Sequence, residues 1–298
     1  MGPAHCHHRD PRLTVPTSDL ASPSATLAVL KRHGLATKKA LGQHFLVDDN
    51  VVRRIIDLAA LSGDETVLEV GPGIGTLTTA LCEAAGAVVA VERDAALLPV
   101  LAETTAGCDR FAVVRADAVA VEPAALAEPF GPPVALVANL PYAVAATVVL
   151  RFFEELPSLQ SATVMVQSEV ADRMAAEPGV KDFGSYTVKL RLRARPVGRF
   201  AVARGCFLPP PRVDSAVLRL ERSPLTEDPA LLREAARVAD AAFAQRRKTV
   251  RNSLRATLEL DAARLDAALE AAGIDGSLRA ETLVPQRFLA LARALRDA

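Results

Sequence analysis

Four consecutive residues, Asn139, Leu140, Pro141 and Tyr142, close an apolar run that reads as a buried strand. Their types suit one kind of chemistry. An exocyclic amine on a planar base is a poor nucleophile because its lone pair is delocalised into the ring. A site that makes such a nitrogen react has to position it and accept its hydrogens. The Asn139 side-chain oxygen and the Pro141 carbonyl are acceptors. Pro141 has no N–H and stiffens the turn, so no donor competes for the amine. Tyr142 offers a ring on which a base can stack. The pattern points to methylation of a base amino group. Taken alone it also makes an ordinary strand-to-helix turn, so the elements before it decide.

Those elements have to place a methyl donor. Val67 to Gly75 is a short β-branched strand running into a glycine-rich turn, followed by a helical stretch from Thr76 to Ala85. Gly71, Gly73 and Gly75 let the backbone approach a ligand, and the helix behind them presents unpaired N–H groups. A dinucleotide loop expects Gly-x-Gly-x-x-Gly over a pyrophosphate, whereas this loop is Gly-x-Gly-x-Gly preceded by Glu69. That acidic residue suits a cofactor with an amino group and no phosphates, namely S-adenosylmethionine.

A second predicted strand, Ala87 to Glu92, ends in a carboxylate where this fold class grips ribose hydroxyls. A third, Phe111 to Asp117, ends in an acceptor for the cofactor's adenine amino group, and a fourth, Val134 to Asn139, delivers the turn. Glu69, Glu92, Asp117 and Asn139 are therefore expected at the carboxyl edge of one parallel sheet, where open α/β sheets bind ligands.

With these residues in place, the chain resembles the KsgA-type rRNA adenine N6,N6-dimethyltransferases. The segments that carry the resemblance are Lys38 to Leu46, the glycine loop, the Asn139 to Tyr142 turn, Phe207 to Ser215 and Gln245 to Leu254. The resemblance covers nearly everything after residue 35. It implies an α/β, Rossmann-like class I methyltransferase sheet with a small C-terminal helical domain. It also implies dimethylation of two adjacent adenosines in a hairpin loop near the 3′ end of small-subunit (16S) rRNA, with S-adenosylmethionine as donor and a link to small-subunit biogenesis. The family's cofactor contacts carry over to His44, Leu46, Gly71, Glu92, Asp117 and Asn139, and its catalytic positions to Asn139, Pro141 and Tyr142. Phe207 matches the second aromatic, expected to face Tyr142 across the target base. His44 stands where some members have Asn, and Ala143 where a polar residue is frequent.

The 298 residues, half of them hydrophobic, can bury a large core and suit one catalytic domain plus a smaller one. Net charge is zero, so RNA binding has to come from local clusters. The four cysteines include no Cys-x-x-Cys pair, which indicates neither a disulfide framework nor a zinc site and fits a reducing cytoplasm. No metal is expected, and the His5-Cys6-His7-His8 cluster is assigned no role. Residues 1–24 read as a disordered extension with no signal peptide. The longest apolar run, Val134 to Leu150, is interrupted by Asn139 and Pro141 and does not read as a membrane span. A monomer working on the small ribosomal subunit is the expected state.

The methyltransferase domain is expected over 25–222. It continues as a helix from Ala145, a strand at Ala162 to Gln167, a loop at Glu177 to Ser185 and two strands flanking Phe207. Cap and turn residues from Ser223 to Pro229 open a helical RNA-binding domain at 223–298. Within Ala235 to Ala256 the spacing predicts a helix carrying Arg247, Arg251 and Arg255 on one face with Arg246 and Lys248 beside them. Lys189, Arg191, Arg193, Arg195 and Arg199 adjoin it, some of them available to pair with carboxylates.

Three other readings share parts of this pattern. An Erm-type methyltransferase of large-subunit rRNA, conferring antibiotic resistance, shares the fold and the turn, but Gln245 to Leu254 and Ala272 to Asp275 resemble the KsgA type more. A ribosome-assembly factor with dispensable methylation would not need intact Glu92, Asp117, Asn139 and Tyr142. A DNA adenine methyltransferase uses a similar turn but would not be expected to carry this basic helical domain.

Overall fold

The computed structural model describes residues 15–35 and 43–297. The His5 to His8 cluster and the first residues of the Lys38 to Leu46 motif lie outside the described residues. Along the chain the strands are β1 (Phe45–Leu46), β2 (Thr66–Val70), β3 (Ala87–Glu92), β4 (Phe111–Arg115), β5 (Ala135–Asn139), β6 (Ser161–Gln167), β7 (Ala194–Val202), β8 (Phe207–Leu208) and β9 (Ser215–Arg222). Seven form one sheet in the order β4-β3-β2-β5-β6-β9-β7, and β1 pairs with β8 in a separate ribbon. Strands β2 to β6 are parallel, whereas β9 runs antiparallel to both β6 and β7. The sheet is the α/β arrangement expected, with its order reversing at β2 and β5, where such sheets open a crevice.

Helices α1 (Pro23–Arg32), α2 (Asp49–Ala59), α3 (Thr76–Ala84), α4 (Leu98–Thr104), α5 (Pro123–Ala127), α6 (Ala145–Glu155), α7 (Ser168–Ala175) and α8 (Ser185–Arg191) precede the C-terminal bundle of α9 (Pro229–Phe243), α10 (Val250–Leu258), α11 (Ala262–Ala271) and α12 (Pro285–Asp297). Both sheet faces are covered, so the central strands are apolar without alternation, and all six residues of β3 are buried. Leu68, Val89 and Phe152 belong to the core on one face, and Val67, Val88 and Ile55 to the core on the other. Between buried ends, edge strand β7 alternates half-buried and exposed positions, as a one-sided strand does.

From Val15 onward the N-terminal extension is not the tail expected through residue 24. Val15 packs on the sheet core, the Ser18 N–H donates to Asp49 Oδ1 at 2.8 Å, and the Ser18 hydroxyl lies 3.0 Å from that of Thr79. Ser22 caps α1, with Pro23 at its first position. Val29 and Leu30 of α1 pack with Phe45, Ile74, Leu97 and Val100, so this helix buttresses the glycine loop.

Asp228 caps α9 by accepting from the N–H groups of Ala230 and Leu231, at the boundary that the cap residues mark. The helical core itself starts earlier. Ala176, Phe183, Val188 and Leu192 are buried with Leu231, Val250, Leu254 and Phe288.

Candidate active site

A cavity of about 770 Å³ opens at the carboxyl ends of β2 to β5. Its wall includes His44, Gly71, Glu92, Asp117, Asn139, Pro141 and Tyr142, which the structure therefore brings together from five separate segments. Gly71 has φ +70°, and a Cβ there would stand 3.2 Å from Pro141 Cγ. The glycine loop and the Asn139 to Tyr142 turn thus approach closely, and the positive φ with this tight spacing favours glycine. Gly75, at φ +90°, caps α3, where an added Cβ would meet the Thr104 hydroxyl at 2.8 Å.

Three carboxylates, Glu92, Asp94 and Asp117, line one end of the cavity. Glu92 Oε1 accepts the Asp94 N–H at 2.7 Å, and burial pushes the Glu92 carboxyl above its ordinary value against the opposing pull of backbone N–H groups. Asp117 lies two residues past β4, its Oδ1 accepting from the Val119 N–H at 3.1 Å and its Oδ2 from Arg93 Nη1 at 3.2 Å. Among the described residues Arg93 is the one lysine or arginine in the wall, and it is already paired. A lining of carboxylate acceptors and a glycine loop, with that cation taken up, fits S-adenosylmethionine, which carries ribose hydroxyls and amino groups but no phosphate.

Glu69 departs from expectation. It is buried and off the wall, and Thr78 Oγ1 donates to its Oε2 at 2.6 Å. Burial pushes its carboxyl up to about 8, partly offset by the Thr78 bond. Its side chain meets Thr78 of α3, while its strand neighbour Val70, which points to the opposite face, lines the cavity.

At the other end of the cavity, Asn139 Nδ2 donates to the His44 carbonyl at 3.4 Å, and its Oδ1 is an acceptor. The Tyr142 ring is stacked on that of His44, with centroids 5.7 Å apart and planes 26° apart. The Tyr142 hydroxyl bonds to the Ser215 hydroxyl at 2.6 Å, and His44 Nδ1 lies 2.8 Å from the Pro209 carbonyl. Burial raises the Tyr142 phenol above its ordinary value.

Leu46 and Phe207 are corrections. Leu46 is 3% exposed and Phe207 2%, neither is in the cavity wall, and both belong to the sheet core with Met165 and Val217. The reason is register. Leu46 pairs directly with Phe207 across β1 and β8, and directly opposed residues project to the same face, here inward. The ring found beside Tyr142 is that of His44. Sequence reasoning missed Arg93 and Ser215; the adjacency of Arg93 to Glu92 was a usable signal, whereas nothing local to Ser215 announces a contact 73 residues away.

The basic stripe is also reorganised. The expected helix over 235–256 is two helices, because α9 stops at Phe243 and Thr249 caps α10 by accepting from the Asn252 N–H. Arg247 and Lys248 are exposed in the turn between them, and Arg255 is exposed on α10. Arg251 is held by both carboxylate oxygens of Asp266. The adjoining five cations are all paired, Lys189 with Asp240, Arg191 with Glu177, Arg193 with Glu154, Arg195 with Glu221 and Arg199 with Asp172. No helix among the described residues is long and apolar enough to cross a membrane.

The chain is similar to known methyltransferases over most of its length. A ribosomal RNA small subunit methyltransferase A from Magnetococcus marinus is 44% identical over 268 residues, spanning 89% of this chain and 94% of that one. One of the same name from Rhodococcus opacus is 45% identical over 281 residues, spanning 92% and 94%. Among solved structures, the 23S rRNA methyltransferase ErmE superposes with a TM-score of 0.63 at 31% identity, covering 85% of this chain and 99% of its own. A dimethyladenosine transferase from Plasmodium falciparum shares the fold, with a TM-score of 0.68 at 23% identity and coverage of 83% and 96%. The profile described as ribosomal RNA adenine dimethylase matches residues 34–297, and this chain belongs to that family.

Proposed function

We propose that this chain dimethylates N6 of two adjacent adenosines in a hairpin loop near the 3′ end of small-subunit rRNA, as a step linked to small-subunit biogenesis. The observation that supports the chemistry most is the Asn139 amide, whose NH2 is engaged by the His44 carbonyl so that its oxygen is left to the cavity beside Pro141. Bound S-adenosylmethionine supplies an electrophilic methyl group. Gly71, Glu92 and Asp117, which line the cavity, would hold and orient it. Asn139 Oδ1 and the Pro141 carbonyl accept the two N6 hydrogens in the first transfer, and one of them accepts the single hydrogen left in the second, which draws the amine toward the pyramidal geometry of attack. The site works by positioning, and the methylated nitrogen releases its proton to water without a dedicated base. An unpaired adenine in a loop reaches such a cavity without the cost of opening a duplex.

On the RNA side, Arg247, Lys248 and Arg255 are the exposed cations offered to phosphates, while Arg251 contributes through its Asp266 pair to the shape of the bundle. A large-subunit target is the second reading, favoured by the ErmE superposition at 31% identity. The small-subunit relatives match at 44% and 45% over nearly the whole chain, and that weighs more.

The test is transfer of labelled methyl from S-adenosylmethionine to purified small and large ribosomal subunits lacking their adenine methylations, with nucleoside analysis. Dimethyladenosine on the small subunit alone is the expected result. Label on large-subunit RNA would support the second reading, and binding without transfer would point to an assembly factor.

A further inference from the structure

The acidic end of the cavity is backed by a helix that, among the described residues, supplies none of the wall itself. Val29 and Leu30 of α1 are buried in one cluster with Phe45, Ile74, Leu97 and Val100. Phe45 and Leu97 are wall residues, and Ile74 lies between Gly73 of the wall and Gly75, which caps α3. A Cβ at Gly73 would stand 3.4 Å from the Phe45 ring, so that ring lies directly against the loop. Leu97 closes the turn that follows Glu92, in which Asp94 donates its N–H to Glu92 and accepts the Ala96 N–H. Two apolar side chains of α1 therefore stand behind both the glycine loop and the ribose carboxylate's turn.

Helix α4 completes the support. Val100 joins the same cluster, and Thr104 is the neighbour that a Cβ at Gly75 would meet. Glu103 ties α4 to the end of α1, its Oε1 accepting from Arg32 Nε at 3.1 Å and its Oε2 lying 2.6 Å from His33 Nε2. Arg32 and Glu103 are largely exposed, so this ion cluster contributes little and the apolar wedge decides.

The loop needs such support. Gly71, Gly73 and Gly75 all have positive φ, and glycine visits many other conformations at no steric cost. A loop held in one of them by packing spares the ligand the cost of ordering it, and that saving appears as affinity.

We propose that Val29 and Leu30 are positioning residues for the methyl donor: through Ile74, Phe45 and Leu97 they hold the glycine loop and the turn after Glu92 in the shape that receives the cofactor. Helix α1 thereby sets cofactor affinity from outside the cavity. This rests on the S-adenosylmethionine reading of the cavity given above.

The experiment uses the full chain, with S-adenosylhomocysteine affinity from calorimetry and steady-state kinetics on under-methylated small subunits. Binding and transfer by the unaltered protein test the earlier reading, so a failure there is distinct from any difference among variants. Leu30→Ala should weaken S-adenosylhomocysteine binding and raise the KM for the donor, each by about tenfold. Its kcat at saturating donor and its KM for the subunit should stay within about twofold of the unaltered values. Leu30→Met, which conserves volume, should restore the affinity. Leu30→Val should show the same split on a smaller scale, and it carries the test if the larger truncation does not fold. Leu159→Ala is the control, because Leu159 is fully buried in the sheet core, off the wall, and precedes β6 at the sheet edge opposite the cavity. It should lower the melting temperature as Leu30→Ala does and leave cofactor affinity unchanged. An unaltered affinity in both Leu30 variants, or an equal loss in Leu159→Ala, would reduce α1 to a general stabiliser and overturn the proposal.

Discussion

Arg93 donates to Asp117 across 3.2 Å, joining the residue after the β3 carboxylate to the carboxylate that follows β4. The Arg93 side chain is 71% exposed, so the pair adds little to stability, and its effect is to orient Asp117 at the cavity's acidic end.

Asp117→Ala should therefore weaken S-adenosylhomocysteine binding by about tenfold or more, because a charge-assisted acceptor is lost. Arg93→Ala should cost less, since the Val119 N–H still holds the other oxygen. Calorimetric titration of the two variants reads this order, and a larger loss for Arg93 would make the guanidinium itself the ligand contact.

Asn139→Ala should reduce methyl transfer by about two to three orders of magnitude, the scale of removing one preorganised polar group from a reacting centre. Co-sedimentation with small subunits should be retained. Near-normal turnover would reject the amide's role.

Glu69 gives a pH signature. Its carboxyl stands at about 8 in the folded chain against an ordinary 4.5, raised by burial. Between those values the folded chain keeps a proton that the unfolded chain releases. The contribution to stability is full below the lower value, declines as pH rises toward the upper one and levels off beyond it. Glu69→Gln should remove that decline, read as the difference between wild-type and variant melting temperatures across the window. Parallel curves would assign the titration elsewhere.

For the RNA surface, the double change Arg247→Ala with Lys248→Ala should lower the salt slope of subunit binding by about one to two, as lost phosphate contacts do. Arg251→Ala should change the slope much less, because Asp266 already neutralises it. Equal changes would mean that the ion pair opens onto RNA.

These predictions divide along what a linear chain can reveal. Strands β2, β3 and β5, with Glu92 and Asn139 at the carboxyl ends of the last two, were legible because a parallel sheet buried on both faces needs unbroken apolar runs, and the glycine loop has to follow one of them. The burial of Phe207 was not legible, since it depends on pairing with Leu46 across some 160 residues. Nor were the partners of the second basic segment, such as Asp172 for Arg199 and Glu154 for Arg193, which become neighbours only after folding. The break at Thr249 was hidden because arginines at helical spacing continue across a cap, and a threonine inside a helix looks the same in sequence as one that starts it.

The helical core borrows Phe183, Val188 and Leu192 from the segment before β7, and this limits how the enzyme can be taken apart. A chain cut at residue 222 would leave those side chains facing water on the catalytic half and a hollow in the other half. Exchanging the C-terminal bundle between relatives, to redirect one catalytic head to another ribosomal target, would therefore succeed only if the graft also carried residues 176–192 as part of the cartridge.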